Sequence, residues 1–302
     1  VKHKKSINEE GAYFTLSAVS AETGLSKLLL HAWERRYEAV TPQRTQTGRR
    51  LYTAAQVERL KLLKECTDFG LRISAIVHVP DDELRRLMLR HQDRLRLAPF
   101  LEQLNTLDST GFEALLRQEL QARGMREFCG GFVLDLLHEV GQLWSDGKLS
   151  VAGEHMASAH IRSLLGEFLT QPVPLRSQTL FLFATLSEEA HELGALLAAV
   201  MAHLNGFRVL YLGPGLPNDE IAAAALTSGA RLVCLSSLIR RGAQSRKRIE
   251  NLREILPRHT ELWLGGPGFA DLSPLAGTRH IADLYEFETI ARLRFSAIEH
   301  KR

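Results

Sequence analysis

The sequence predicts a multidomain chain, with two helical segments over about the first 170 residues and then a doubly wound α/β domain. Two observations predict it. Apolar residues recur at helical spacing from Tyr13 to Thr170, whereas beyond Gln178 short continuous apolar runs alternate with amphipathic stretches. Between them "TQPVPLRSQ" (170–178) carries two prolines and reads as a linker. The 302 residues suffice for two or three domains, and 45% hydrophobic with 24% charged residues is an ordinary globular composition.

The first segment runs from Tyr13 to about Pro80. "TLSAVSAETGLS" spaces Leu16, Val19 and Leu25 for a helix, turns at Thr23-Gly24, and offers Ser26 as the N-cap of the next helix, "KLLLHAWERRY". "VTPQRTQTGRR" is too rich in polar turn formers to be buried, and "TAAQVERLKLLKECTDFG" resumes helical spacing from a Thr53 cap. From Asp81 to Thr170 four clusters follow: Leu84-Leu87-Met88 with Leu104-Leu107, Phe112-Leu115-Leu116, Phe132-Leu136-Leu137-Val140 and Ile161-Leu164-Leu165-Phe168. Polar and Gly breaks at hairpin spacing make this a four-helix bundle. Strands are expected at "TLFLFATL" (179–186), "FRVLYLG" (207–213), "RLVCLSSL" (231–238) and "ELWLGG" (261–266). Helices are expected at 191–204, "DEIAAAALTSG", "RKRIENLREILP" and "FETIARLRFSAIEHK". Buried strands alternating with amphipathic helices give a parallel, Rossmann-like sheet that binds ligands at its carboxyl edge.

A net charge of +3 identifies no partner, but its distribution says more. Nine Lys/Arg stand against three Glu between Leu25 and Lys64. Cys66, Cys129 and Cys234 are far apart and form no CxxC pair, which fits a reducing compartment. No apolar run follows "VKHKKSINEE", and the most apolar stretch, 194–204, is too short to span a bilayer, so a cytoplasmic protein with no membrane partner is expected.

A helix-turn-helix followed by a basic loop can place its second helix in a DNA major groove and the loop, as a wing, along the backbone. Arg35 and Arg36 on the helix and Arg44, Arg49 and Arg50 on the loop are then phosphate ligands, with Tyr37 and Tyr52 as hydroxyl donors and His31 as a base-edge candidate. Solubilising arginines around a core of Trp33 and Leu29 explain the same pattern, and spacing alone leaves both open. The whole of "GLSKLLLHAWERRYEAVTPQRTQTGRRLYTAAQVERLKLL", however, resembles the winged helix-turn-helix of the MerR family. The resemblance implies binding to double-stranded promoter DNA as a dimer.

In the α/β segment "LSEEAHELG" sets Glu189, His191 and Gly194 as E-x-H-x-x-G between the first strand and its helix. An imidazole there can bind a metal through one nitrogen while the carboxylate orients the other, and Gly194 allows close approach of a ligand. A lone surface histidine is the plainer reading. Ser236-x-Leu238 ends the third strand and Gly265-Gly266 the fourth. Together these three motifs resemble the cobalamin-binding domain of methionine synthases and corrinoid proteins. The resemblance implies that His191 is the lower cobalt ligand and that the Ser-Leu and Gly-Gly positions line the slot for the nucleotide tail. Glu189 stands where aspartate is more usual.

"LWSDGKLSVAGEHMASAHIRSLL" adds Trp144, nine residues, then Glu154-His155. With the motifs downstream it resembles the helical cap of the CarH/LitR family of light-responsive, cobalamin-dependent repressors. That resemblance implies that Trp144, Glu154 and His155 line the upper face of adenosylcobalamin. It further implies a non-enzymatic repressor, a homo-oligomeric dimer or tetramer released from DNA when light breaks the cobalt–carbon bond. Its parts are expected at 1–80 (DNA reader), 81–172 (cap) and 173–302 (cobalamin domain). One departure stands out: Ser145 occupies the position where light-sensing members commonly carry a cobalt-capturing histidine. A light-independent regulator of the same build is therefore the alternative. A corrinoid methyl carrier is a further one, against which the winged module argues. The basic run "IRRGAQSRKR" (239–248) reads as a solvated helix start or an oligomer contact.

Overall fold

Thr15, Ser26 and Thr53 each begin a helix, and their side chains do the capping. Ser26 accepts from Leu29 N–H at 3.2 Å, and Thr53 forms a reciprocal box with Gln56, at 3.2 and 3.1 Å. Such caps satisfy backbone donors that the helix itself leaves unpaired, and contribute about 1 kcal/mol each. Between the first two helices Gly24 takes the left-handed conformation (φ 69°) that a tight helix-to-helix turn requires.

The computed structural model describes residues 7–8, 11–272 and 275–295, and the chain divides into two units, Val1–Ala98 and Pro99–Arg302. The charged stretch through Ser6 and the end of the expected last helix, beyond Phe295, lie outside the described residues.

In the first unit β1 (Ile7–Asn8) pairs antiparallel with β2 (Gly11–Ala12). Next come β3 (Phe14–Thr15), α1 (Leu16–Thr23), α2 (Lys27–Tyr37), β4 (Gln43–Arg44) and β5 (Arg50–Tyr52). Then follow α3 (Ala54–Asp68), α4 (Ile73–Ile76) and the start of α5 (Asp81–Thr106). β5 pairs with both β3 and β4, so a small antiparallel sheet carries the wing. The core gathers Val19, Leu30, Trp33, Tyr52, Leu60, Leu63 and Cys66, all nearly or wholly buried.

In the second unit the rest of α5 is followed by α6 (Ser109–Glu127), a π-helical turn (Phe128–Phe132), α7 (Val133–Ser145) and α8 (Val151–Thr170). The expected four helices are present. The α/β part then runs β6 (Leu180–Ala184), α9 (Leu193–Leu204), β7 (Arg208–Tyr211), α10 (Asn218–Ser228), β8 (Leu232–Ser236) and α11 (Ala243–Ile255). It ends with β9 (Glu261–Gly265), β10 (Thr278–Ile281) and α12 (Leu284–Phe295). The five strands are parallel in the order β10-β9-β8-β6-β7. β10 was not legible as a strand, because "TRHI" is a short edge strand with exposed Arg279 and His280 and pairs on one side only.

Helices cover both faces of the sheet. Ile221, Ala225, Ile249 and Leu252 of α10 and α11 pack on one, and on the other Phe181 stacks on Phe207 (ring centroids 4.5 Å) and meets Phe295 of α12 edge-on. α9 is apolar nearly all round because it lies between the sheet and α8. From β6 the chain steps to β7 on one side and then to β8 on the other. The resulting switch point opens a crevice at the carboxyl ends of β6 and β8. No helix among the described residues is long and apolar enough to cross a membrane.

Candidate functional site

Two sites are built, one in each unit. In the first, α2 buries Leu30 and Trp33, and helical period leaves Leu28 (81% exposed) and Leu29 outside. Leu29 is therefore not core. Arg35 and Arg36 of α2 are exposed, as are Arg44 and Arg49 of the wing. Among the described residues none of the four forms an ion pair. The wing is shaped by its backbone instead: Thr45 N–H donates to Arg49 C=O at 2.9 Å, Gly48 N–H to Thr45 C=O at 2.8 Å, and Arg49 N–H to the Thr45 hydroxyl at 3.1 Å. Among the described residues these four guanidiniums thus carry no counter-ion.

The other expected DNA contacts are placed differently. Tyr52 is wholly buried and its hydroxyl donates to Glu34, so it faces no phosphate. Burial first, and then the Glu34 carboxylate, push its phenol well above the ordinary tyrosine range, so it stays a donor. Arg50 is engaged by the same carboxylate, Nε to Oε2 at 2.7 Å. His31 turns its Nε2 inward, where it is buried without a partner among the described residues, so that nitrogen does not face a base edge. Tyr37 is half-buried against the core, with the Arg36 guanidinium 5.6 Å from its ring centroid. Glu34 organises this face, and its partners lie 16 and 18 positions away, beyond any spacing motif.

In the second unit the loop after β6 and the loop after β8 meet in the crevice through Glu189. Its side chain is 3% exposed. Oε2 accepts from the Ser237 hydroxyl at 2.8 Å, Leu238 N–H at 2.9 Å and Ile239 N–H at 3.1 Å. Oε1 accepts from His191 N–H at 3.0 Å and lies 2.6 Å from His191 Nδ1. Burial alone would raise the carboxyl. The donors from Ile239, Ser237 and His191 outweigh it and hold the group at about 2. An ionised carboxylate only accepts, so Nδ1 is the protonated nitrogen facing it, and in the neutral ring the lone pair lies on Nε2. The imidazole is 52% exposed.

Among the described residues no three His, Cys, Asp or Glu side chains gather to hold a bare ion. A metal bound through His191 Nε2 must therefore arrive with its other ligands, as cobalt does in a corrin ring. The residues present fit such a group.

The serine that bonds the Glu189 carboxylate is Ser237, which the sequence did not single out, and not the neighbouring slot candidate Ser236. Ser236 ends β8, paired with Gly265, and its hydroxyl fills the space a Gly194 side chain would need. Gly194 thus serves helix–strand packing. The two glycines at the end of β9, Gly265 within it and Gly266 just after it, also differ. A Cβ on Gly266, whose φ is +90°, would sit 2.5 Å from Ser237 C=O, while one on Gly265 would meet nothing closer than 4.0 Å. Gly266→Ala should lower stability by about 2 kcal/mol or more through strain and overpacking, and Gly265→Ala by about 0.5 kcal/mol or less. Thermal melting of the two variants side by side checks this.

Leu238 gives Glu189 its N–H and leaves its side chain 53% exposed. In the basic run 239–248 three arginines make long-range contacts, while Lys247, near the start of α11, stays exposed. Arg241 donates to Glu188 C=O at 2.8 Å, Arg248 pairs with the Glu188 carboxylate, and Arg240 pairs with Asp271 at 2.7 Å. It braces the His191 loop. On the helical side Trp144 closes α7 at 51% exposure. Glu154 accepts from the Ser158 hydroxyl at 2.7 Å beside a largely exposed His155. Also missed were Glu192, Arg162 and Tyr211, which join around the carboxylate next to His191.

The family description "MerR HTH family regulatory protein" matches residues 14–83, and "B12 binding domain" descriptions match 97–167 and 179–293. The HTH-type transcriptional repressor CarH of Myxococcus xanthus is 32% identical over 262 residues, spanning 82% of this chain and 87% of that protein. The HTH-type transcriptional repressor CarA of the same organism is 29% identical over 224 residues, 73% of this chain and 75% of its own. The monomethylamine corrinoid protein of Methanosarcina barkeri shares the fold at 16% identity. It has a TM-score of 0.51 and covers 64% of this chain and 94% of its own.

A winged helix-turn-helix joined to B12-binding domains defines a cobalamin-linked DNA-binding regulator. The chain belongs to the B12-binding MerR-family repressors, the family of CarH.

Proposed function

We propose that the protein is a transcriptional repressor that senses adenosylcobalamin and leaves its promoter on illumination. The observation that carries this is the His191 imidazole at the switch-point crevice, its Nδ1 held by a buried, ionised Glu189 and its ring half-exposed. When bound, adenosylcobalamin supplies a cobalt–carbon bond that visible light cleaves. The chain's residues do the rest. His191 would hold the cobalt through Nε2, and Gly194, Ser236, Leu238, Gly265 and Gly266 would border the slot. Trp144, Glu154 and His155 close the site from the helical side. Residues 1–80 read DNA, 81–172 form the cap and 173–302 hold the cofactor.

On DNA, Arg35, Arg36, Arg44 and Arg49 take phosphates, and the exposure of Leu28 supports it as an apolar partner for a thymine methyl. Each phosphate neutralised steepens the dependence of log affinity on log salt by about 0.9. A single copy supplies few such contacts, so assembly into a dimer or tetramer on a pseudo-palindromic site sets the affinity. A ligand that favours the assembled state favours bound DNA by linkage.

Size-exclusion chromatography with adenosylcobalamin, in darkness and after green light, alongside a promoter mobility-shift assay, tests the proposal. Dark assembly and light-induced disassembly with loss of the shifted band are expected. No change of assembly under any condition sinks it. His191→Ala should abolish imidazole coordination, and an unchanged visible spectrum in that variant overturns the ligand assignment. Exposed Ser145, next to Trp144, favours a second reading in which the regulator binds cobalamin but ignores light. Dark assembly that persists after illumination is its signature.

A further inference from the structure

Glu192 directly follows His191 and is 9% exposed, yet it does not cap the helix it precedes: no side-chain bond to the α9 N-terminus forms. Its two oxygens reach two other elements. Oε1 accepts from Arg162 Nε of α8, and Oε2 accepts from the Tyr211 hydroxyl at the end of β7, at 2.6 Å. Burial first, and then this bond, push the Tyr211 phenol far above the usual range, so it remains a donor. The loop after β7 also comes close, since a Cβ on Gly213 would lie 3.9 Å from Oε2.

We propose that Arg162, Glu192 and Tyr211 form a latch that ties the helical segment to the loop presenting His191. The inference rests on the cobalamin reading for its purpose, though not for its geometry. His191 stands between two buried carboxylates with different roles. Glu189 aims the imidazole from the β8 side. Glu192 fixes the following backbone position to α8 and β7.

A surface ion pair would not suffice, because exposed pairs contribute little and Arg162 is half exposed. Two features lift this one above that class: the carboxylate end is buried, and an independent donor from the sheet shares it. Displacement of α8 therefore pulls on the residue next to His191, and a shift of the His191 loop pulls on α8. Arg162, Glu192 and Tyr211 are positioning residues, since none of them is the proposed ligand.

The test uses the full chain and the variants Arg162→Met, Glu192→Gln and Arg162→Lys. Amide hydrogen exchange without cofactor is read over residues 158–166, 186–196 and 209–214. Met at 162 should speed exchange by about fivefold or more in the His191 loop as well as in α8, in the range of ordinary coupling between sites. Gln at 192 should do the same in both, and Lys at 162 should restore much of the protection. Exchange that changes only in the mutated segment overturns the latch.

A second readout titrates hydroxocobalamin by visible absorption. Affinity should fall by about tenfold in the Met and Gln variants, while the bound spectrum keeps its imidazole-coordinated form because His191 and Glu189 are intact. Equal affinity in all variants overturns the latch as a device for the cofactor. Failure of the wild-type chain to bind hydroxocobalamin would instead defeat the cobalamin reading, and the exchange result would still decide the latch.

Discussion

Glu189→Gln should invert the tautomer of His191 while leaving the fold intact. The carboxylate accepts three donors on Oε2, from Ser237, Leu238 and Ile239, and two on Oε1 from His191. A glutamine has one acceptor oxygen. Three donors outvote two, so the amide oxygen takes the Oε2 position and the NH2 group takes the other. That group then faces His191 Nδ1 and can only donate to it, which moves the ring proton to Nε2. A protonated Nε2 has no lone pair for a metal.

The amide also opposes the His191 backbone N–H and loses the charge-assisted character of every bond in the cluster. A stability loss of about 2 kcal/mol follows, the ordinary size for weakening a buried network without emptying it. Long-range proton–nitrogen NMR on histidine-labelled protein reads the tautomer without any cofactor. Nε2 should be the unprotonated nitrogen in the wild type and the protonated one in the variant. The same tautomer in both proteins would show that Glu189 does not orient the ring. Cobalamin titration should then lose the imidazole-coordinated spectrum in the variant, as in His191→Ala, while Ser237→Ala, which removes one donor of five, should retain it.

What the sequence disclosed and what it hid follow from the range of the interactions involved. Ser26 and Thr53 were legible as caps because a cap and its partner lie three residues apart. Glu189 and His191 were legible as a pair for the same reason: two residues on a loop bring carboxylate and imidazole together wherever the loop lies. Buried β6, β8 and β9 announced themselves as apolar runs, while β10, polar at the sheet's edge, did not. The bond from Ser237 to Glu189 depends on which side of the strand end turns toward a loop 48 residues earlier, and no local pattern records that. Arg50 and Tyr52 misled for a related reason. Their composition suits phosphate binding, but a glutamate one helix away claims both. Arg162 and Tyr211 were invisible because 30 and 19 residues separate them from Glu192.

Glu34→Ala should weaken promoter binding although it makes the DNA-reading unit more positive. Simple electrostatics predicts the opposite: removing one negative charge from a basic face raises affinity for a polyanion, the more so at low salt. The geometry decides against it. Glu34 sits on α2 and holds two residues of β5, Arg50 at 2.7 Å and the buried Tyr52 hydroxyl. It is a polar tie between α2, the helix proposed to enter the groove, and the strand that leads out of the wing. Its loss leaves the Tyr52 hydroxyl in the core with no partner and the partly buried Arg50 without its counter-ion. An unsatisfied buried hydroxyl alone costs about 1–3 kcal/mol. Arg50 can swing to solvent, so the total should stay near the upper end of that range and the unit remains folded.

Arg44 and Arg49, carried on the wing, then lose their fixed relation to Arg35 and Arg36 on α2. Specific affinity should fall by about tenfold or more, while binding to non-specific DNA holds or rises slightly, because charge counts there and register does not. Glu58→Gln, which removes a negative charge from an exposed position of α3, is the control and should leave specificity unchanged. Competition binding against promoter and random duplex at two salt concentrations separates the outcomes. If Glu34→Ala tightens specific and non-specific binding alike, the carboxylate acts as a charge only. Promoter affinity that falls while random-duplex affinity holds assigns it to keeping helix and wing in register.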